Sequence, residues 1–115
     1  MAYDEELAER VRDLLVDEPV AAGREVTERR MFGGLAFLVD GNMAVAVSGQ
    51  GGLMVRVDPA GSEELVATTP AYPMVMRGRA MGGWLRVDSD ALTSDDDLTA
   101  WVARGTSYSA SLPAK

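Results

Sequence analysis

EVTERRMFGGLAFLVDGNMAVAVSGQGGLMVRVD, the stretch Glu25–Asp58, decides the fold. Its apolar side chains recur with period two in four short runs: Glu25–Phe32, Leu35–Asp40, Met43–Ser48 and Leu53–Asp58. Turn residues separate them. Gly33-Gly34 follows the first run, Asp40-Gly41 or Gly41-Asn42 supplies a tight hairpin turn, and Gly49-Gln50-Gly51-Gly52 makes a longer one. Connections this short join antiparallel neighbours, so the spacing predicts a four-stranded meander ended by Pro59.

Upstream, residues 4–18 read as an amphipathic helix. Asp4 is the expected N-cap, and Leu7, Val11, Leu14 and Leu15 share one face. Glu5, Glu6 and Glu9 complement the positive end of the helix dipole, and Pro19 and Gly23 stop the helix. Downstream, Pro59–Thr69 reads as a short helix with Ser62 as its cap. Two strands follow, Met74–Arg79 and Trp84–Asp88, joined through Met81-Gly82-Gly83. A last helix begins in the Thr93–Asp97 cluster, buries Leu98, Trp101 and Val102, and is expected to end at Gly105, leaving Tyr108–Lys115 as a tail. The order is α-β-β-β-β-α-β-β-α. It predicts one α+β domain over residues 1–115, an antiparallel sheet of about six strands with its helices packed on one face.

Composition removes much chemistry. The chain has 115 residues, no Cys and no His. A thiol nucleophile, a disulfide framework and a Cys-ligated metal are therefore absent, together with the commonest general base and transition-metal ligand. No catalytic residue, metal site or cofactor is assigned. An acid–base enzyme built on carboxylates and Tyr ranks third among the readings, ahead only of direct nucleic-acid binding. Eighteen acidic residues against eleven basic ones give a net charge of −7, which disfavours direct nucleic-acid binding. The start Met1-Ala2-Tyr3-Asp4-Glu5-Glu6 lacks the basic and apolar regions of a signal peptide, and no apolar run approaches the ~18 residues of a membrane span. A cytoplasmic protein without membrane association is expected.

Strand parity then singles out one sheet face. Leu53, Val55 and Val57 alternate with Met54 and Arg56, and Leu85 and Val87 alternate with Trp84 and Arg86. If the aliphatic sets face the helices, the outer face gathers Met54, Trp84 and Val75 beside Arg56, Arg77 and Arg86. Such a strip suits an ordinary solvated sheet face, a surface for self-association or a protein partner, or a guanidinium clamp for a small anionic ligand. The chain also carries an echo: Arg30-Met31-Phe32-Gly33-Gly34-Leu35 recurs loosely as Arg79-Ala80-Met81-Gly82-Gly83-Trp84. Neither Gly33-Gly34 nor Gly82-Gly83 lies in a phosphate-loop fingerprint, so bulges or sharp strand corners are the favoured reading.

The Arg30–Phe37 element, Gly41-Asn42-Met43, Leu53–Asp58, Met81–Leu85, the Leu98…Trp101 helix and Ser111–Lys115 together resemble the N-terminal domain of the TfoX/Sxy family over nearly the whole chain. The resemblance implies an α+β domain and a link to regulators of bacterial natural competence, which act with a cyclic-AMP-responsive transcription factor and usually add a C-terminal helical domain. It carries no catalytic residues over. Arg56 and the Gly33-Gly34 turn map as motif members. The leading expectation is a non-enzymatic regulatory or protein-interaction module, with a homodimer through the outer sheet face as one form. The alternative is a domain that binds a small anionic ligand with Arg56, Arg77 and Arg86.

Overall fold

A computed structural model of the chain describes residues 3–31 and 33–115. Asp4 caps helix α1 (Glu5–Asp17) by accepting the Leu7 N–H at 3.1 Å, and the helix buries Leu7, Ala8, Val11 and Leu15. A single 3-10 turn at Pro19–Ala21 leads into β1 (Val26–Met31), followed by β2 (Gly34–Val39), β3 (Asn42–Val47) and β4 (Leu53–Arg56). Phe32, where the first strand was expected to end, lies outside the described residues, as do Met1 and Ala2. A 3-10 turn at Pro59–Gly61 precedes α2 (Ser62–Thr68). Then come β5 (Tyr72–Met76), β6 (Arg79–Val87), a turn at Ser89–Ala91 and α3 (Asp95–Ser111).

The six strands form one antiparallel sheet in the order β1-β2-β3-β4-β6-β5. The β2–β3 turn is Asp40-Gly41, both with positive φ (52° and 84°), flanked by the Val39–Asn42 pair. That is the mirror-image turn whose twist matches paired strands. Asp40 is held there by its own carboxylate, which accepts from Arg24 at 2.8 Å and from the Glu25 N–H at 3.2 Å.

All three helices lie over the face that carries Leu53, Val55, Val57, Leu85 and Val87, the side that parity assigned to them. Leu35, Phe37, Val45 and Val47 continue this core beneath α1 and α3, and Leu98, Trp101 and Val102 close it from above. On the opposite face Ala36, Leu38, Ala46 and Met54 form a second small cluster, with Met31, Met43 and Met74 packed around it. Met43 reaches that face because β3 carries a bulge. Phe37 pairs with Val45 but Leu38 pairs with Met43, so Ala44 is the extra residue and the alternation reverses across it.

Several boundaries differ from the sequence reading. Gly105 does not end the last helix: α3 runs through it to Ser111, so Tyr108 lies on the helix rather than in a tail. Ser62 is the first residue of α2 and not its cap. Asp58 instead caps the preceding turn by accepting the Ala60 N–H at 2.9 Å. The β5–β6 turn is Arg77-Gly78, again with positive φ at both residues (53° and 78°), rather than Met81-Gly82-Gly83. Those three residues belong to β6.

Candidate functional site

The hairpin β5–β6 divides into two parts. Near its base Tyr72 pairs with Arg86 and Pro73 with Leu85. Beyond a bulge, Val75 pairs with Ala80 and Met76 with Arg79. Between these pairs β6 spends Met81-Gly82-Gly83-Trp84 opposite Met74 alone, and this excess bends the hairpin into an arm. Gly83 supplies the corner. Its φ is +82°, and a Cβ there would lie 2.9 Å from the Val57 carbonyl oxygen and 3.0 Å from Pro59. The glycine lets its own carbonyl accept the Val57 N–H at 2.8 Å. Gly82 beside it faces open space. In the other pair Gly33 has the positive φ, while a Cβ on Gly34 would collide with the Val47 carbonyl. Strand packing thus accounts for both pairs.

The arm is where the molecule leaves apolar side chains uncovered. Of the six large hydrophobic residues exposed among the described residues, four belong to it: Tyr72, Val75, Met76 and Met81, with Val75 60% exposed. It is also cationic. No Asp or Glu occurs from Leu65 to Val87, whereas Arg77, Arg79 and Arg86 do. The two edges of the sheet contrast accordingly. Edge strand β1 reads VTERRM, with charged side chains of the kind that deter strand addition, and edge strand β5 reads YPMVM. A groove of about 340 Å³ runs along the base of the arm, lined by Val66, Pro73, Ala80, Met81 and Trp84 among others.

The six side chains singled out by parity do not share one environment. Met54 is buried in the second cluster. Arg86, its cross-strand neighbour, donates to Ser48 Oγ at 3.1 Å and to the Gly51 carbonyl at 3.3 Å, tying β6 to the β3–β4 turn. Arg56 and Trp84 are cross-strand partners, and the Arg56 guanidinium carbon sits 5.5 Å from the Trp84 ring centroid. Arg77 stands apart, exposed at the tip of the arm. Val75 also departs from its expected face. Met74, two residues from Arg86's partner Tyr72, packs on the Met54 cluster, so Val75 points the other way.

Tyr108 was missed, because the helix was read as ending at Gly105. Its ring centroid lies 5.6 Å from the same Arg56 guanidinium carbon, so the cation touches two aromatic rings. Tyr108 also lines a cleft of about 520 Å³ between α2 and α3, with Val57, Leu65, Ala103 and Arg104. Apolar positions on both helices were visible in the sequence, but the helix length that brings Tyr108 to Arg56 was not.

The ion pairs lie elsewhere. Arg12 grips Glu28 through two hydrogen bonds, at 2.6 and 2.8 Å, which hold the Glu28 carboxyl below the usual carboxylate range and the guanidinium above its own. Arg24 lowers Asp40 in the same way, helped by the Glu25 N–H. Arg10 pairs with Asp95 at 3.2 Å. Among the described residues no three acidic side chains converge in a metal-binding group, and no helix is long and apolar enough to cross a membrane.

Comparison with curated proteins returns no match. The family model of the TfoX N-terminal domain matches residues 18–109, a span from the end of α1 almost to the end of α3 that takes in the whole sheet, the arm and the Arg56 aromatic pair. By that match the chain belongs to the TfoX N-terminal domain family.

Proposed function

We propose that this domain is a non-enzymatic regulatory module of the competence-regulator kind, which engages a protein partner through the β5–β6 arm. The observation that carries the reading is the concentration of Tyr72, Val75, Met76 and Met81 on one cationic hairpin of an acidic protein. Apolar side chains left in water and concentrated on one short element mark interaction surfaces more often than scattered ones do. Met adapts to varied partners, and Tyr, Met and Arg are enriched at interface cores. The charge selects among partners. Arg77 and Arg79 favour an apolar surface rimmed by carboxylates and oppose a symmetric pairing of two arms, which would bring four guanidinium groups together. Family membership supports the regulatory half of the reading.

A photo-crosslinking residue placed at Val75 in living cells tests the proposal, with Val16 as a control because it is 80% exposed on α1. Val75 is expected to capture one partner that Val16 does not, and Arg77→Glu with Arg79→Glu is expected to abolish the capture. Equal capture at both positions, or capture indifferent to the charge reversal, refutes it. A crosslinked band at twice the chain mass would identify the partner as a second copy and overturn the charge argument.

A further inference from the structure

We propose that the cleft between α2 and α3 binds a small carboxylate with an apolar body, its charge held by Arg104 on the lining and by Arg56, which stands against the Tyr108 wall. The inference is independent of the arm. The cleft measures about 520 Å³, within the range of small-molecule sites, and its walls are largely hydrocarbon: Val57, Leu65, Ala103 and the Tyr108 ring. Arg104 lines it, and Arg56 stands against the Tyr108 ring that forms one wall. Arg10, Arg12 and Arg24 each hold a carboxylate. Arg56 and Arg104, in the same acidic chain, have no protein hydrogen-bond acceptor among the described residues. Arg56 is nonetheless half-buried.

Aromatic rings position these guanidinium groups instead. Arg56 lies 5.5 and 5.6 Å from the Trp84 and Tyr108 centroids, and Arg104 lies 4.4 Å from that of Trp101. A cation–π contact satisfies the charge in part but accepts none of the N–H groups, so the donor fork of each Arg remains available. A fork fixed on a ring loses less freedom on meeting a carboxylate than a free side chain does. Asp58 also borders the cleft. One of its oxygens already caps the Pro59–Gly61 turn. On the lining Asp58 and Arg104 cancel, and Arg56 against the Tyr108 wall leaves a local charge of +1, which matches a monoanion better than a phosphate dianion. The apolar walls take the rest of the ligand, and the Tyr108 and Ser107 hydroxyls at the rim can add hydrogen bonds.

Benzoate titrated into the ¹⁵N-labelled chain, beside benzamide and inorganic phosphate at matched ionic strength, tests this. Benzoate is expected to give saturable amide shifts centred on Val57, Leu65, Ala103 and Tyr108, and the two other probes are expected to bind at least on the order of tenfold more weakly. Arg56→Gln and Arg104→Gln are each expected to weaken benzoate by on the order of tenfold. Ala103→Met, which fills the cleft and leaves the charges alone, should abolish the shifts. No saturable shift up to ~10 mM benzoate refutes the site. Equal binding of benzamide refutes the charge recognition, and equal binding of phosphate refutes the carboxylate class. If Arg56→Gln does not fold, Arg104→Gln and Ala103→Met decide. Shifts confined to the arm would refute this cleft while leaving the arm's own role standing.

Discussion

Gly105→Ala separates the two readings of α3. Helix propensity alone makes the substitution favourable by about 1 kcal/mol, since Gly is the poorest interior residue after Pro. The packing argues the opposite sign. Gly105 sits where α3 crosses the β3 bulge, and a Cβ there would lie 2.8 Å from Val45 Cγ1 and 3.0 Å from the Ala44 carbonyl carbon, with the Ala44 oxygen closer still. Ala44 is backbone in a bulge and cannot rotate away, so the helix must lift. Restoring an ordinary contact of ~3.5 Å to Val45 requires a shift of roughly 0.7 Å, and a gap of that size forfeits about a quarter to a half of the attraction in each contact. Leu98, Trp101 and Val102 are buried against the sheet on the same helix and feel the shift. Overpacking costs about 1–3 kcal/mol, and a clash with a backbone carbonyl that cannot rotate away belongs at the upper end, so after the propensity gain of about 1 kcal/mol the net loss is about 2 kcal/mol. Urea unfolding is the assay. With a slope of ~1.5 kcal/mol/M, the midpoint should fall by about 1 M, and Gly105→Val should fall further. A midpoint that is unchanged or raised in Gly105→Ala would refute the close crossing.

Three further outcomes are expected. Thr106 Oγ1 is buried without a hydrogen-bond partner, so Thr106→Val should stabilise the domain by about 1 kcal/mol, read as a melting temperature raised by about 4 °C. The glycines of the arm should part company: Gly82→Ala should stay within about 0.5 kcal/mol of wild type, whereas Gly83→Ala should lose about 1–3 kcal/mol to its positive φ and to the Val57 carbonyl. Equal effects would remove the corner assigned to Gly83. The lowered pKa of Glu28, caused first by its hydrogen bonds from Arg12, means that the unfolded chain binds the proton more readily. Its contribution, about 1 kcal/mol at most because the pair is solvent-exposed, is present above the unfolded carboxyl pKa of about 4.3 and is lost as pH falls through the lower folded value. The stability difference between wild type and Glu28→Gln should therefore shrink toward acid pH; a difference constant from neutral to acid pH contradicts the pairing.

Period-two alternation made the meander legible because each strand has one face pressed on a core. Leu53, Val55 and Val57 could not exchange with Met54 and Arg56 without exposing three aliphatic side chains. Capping chemistry served as well for Asp4, whose carboxylate takes the N–H that the spacing assigned to it. The errors lie where long-range geometry overrides a local rule. Gly105 reads as a terminator, since glycine commonly ends helices, but the residue is set by the strand beneath it. Met43 would face the helices by alternation, and the bulge at Ala44 turns it over. In the arm, Arg77-Gly78 forms a turn normally made by Asn-Gly or Asp-Gly, while the more glycine-rich Met81-Gly82-Gly83 bends a strand instead. The Arg56–Tyr108 contact joins residues from β4 and the last turns of α3. No short-range pattern in either segment encodes it.

The distribution of arginine partners gives the molecule two unlike sides. Arg10 and Arg12 on α1 and Arg24 after it meet carboxylates of α3, β1 and the β2–β3 turn, so these three ion pairs sew the N-terminal helix and its connection to what they touch. At surface exposure each stabilises little, and their removal should barely move the global stability. Toward the far edge of the sheet the arrangement inverts. From Leu65 to Val87 the chain withholds every carboxylate, although the protein has eighteen to place. If fold stability alone decided this placement, acids could sit on the exposed positions of β5 and the arm and pair with Arg77 and Arg79 at negligible cost. Instead uncovered Val75, Met76 and Met81 share the hairpin with bare guanidinium groups, and Arg56 is carried by two aromatic rings where a single nearby carboxylate would serve. Acids there would repel an anionic group or an acidic surface arriving from outside. Their exclusion from Leu65–Val87 is what the arm proposal requires. It also gives a test: Ala80→Glu, at an exposed position lining the groove at the base of the arm, should leave folding intact while weakening capture at Val75.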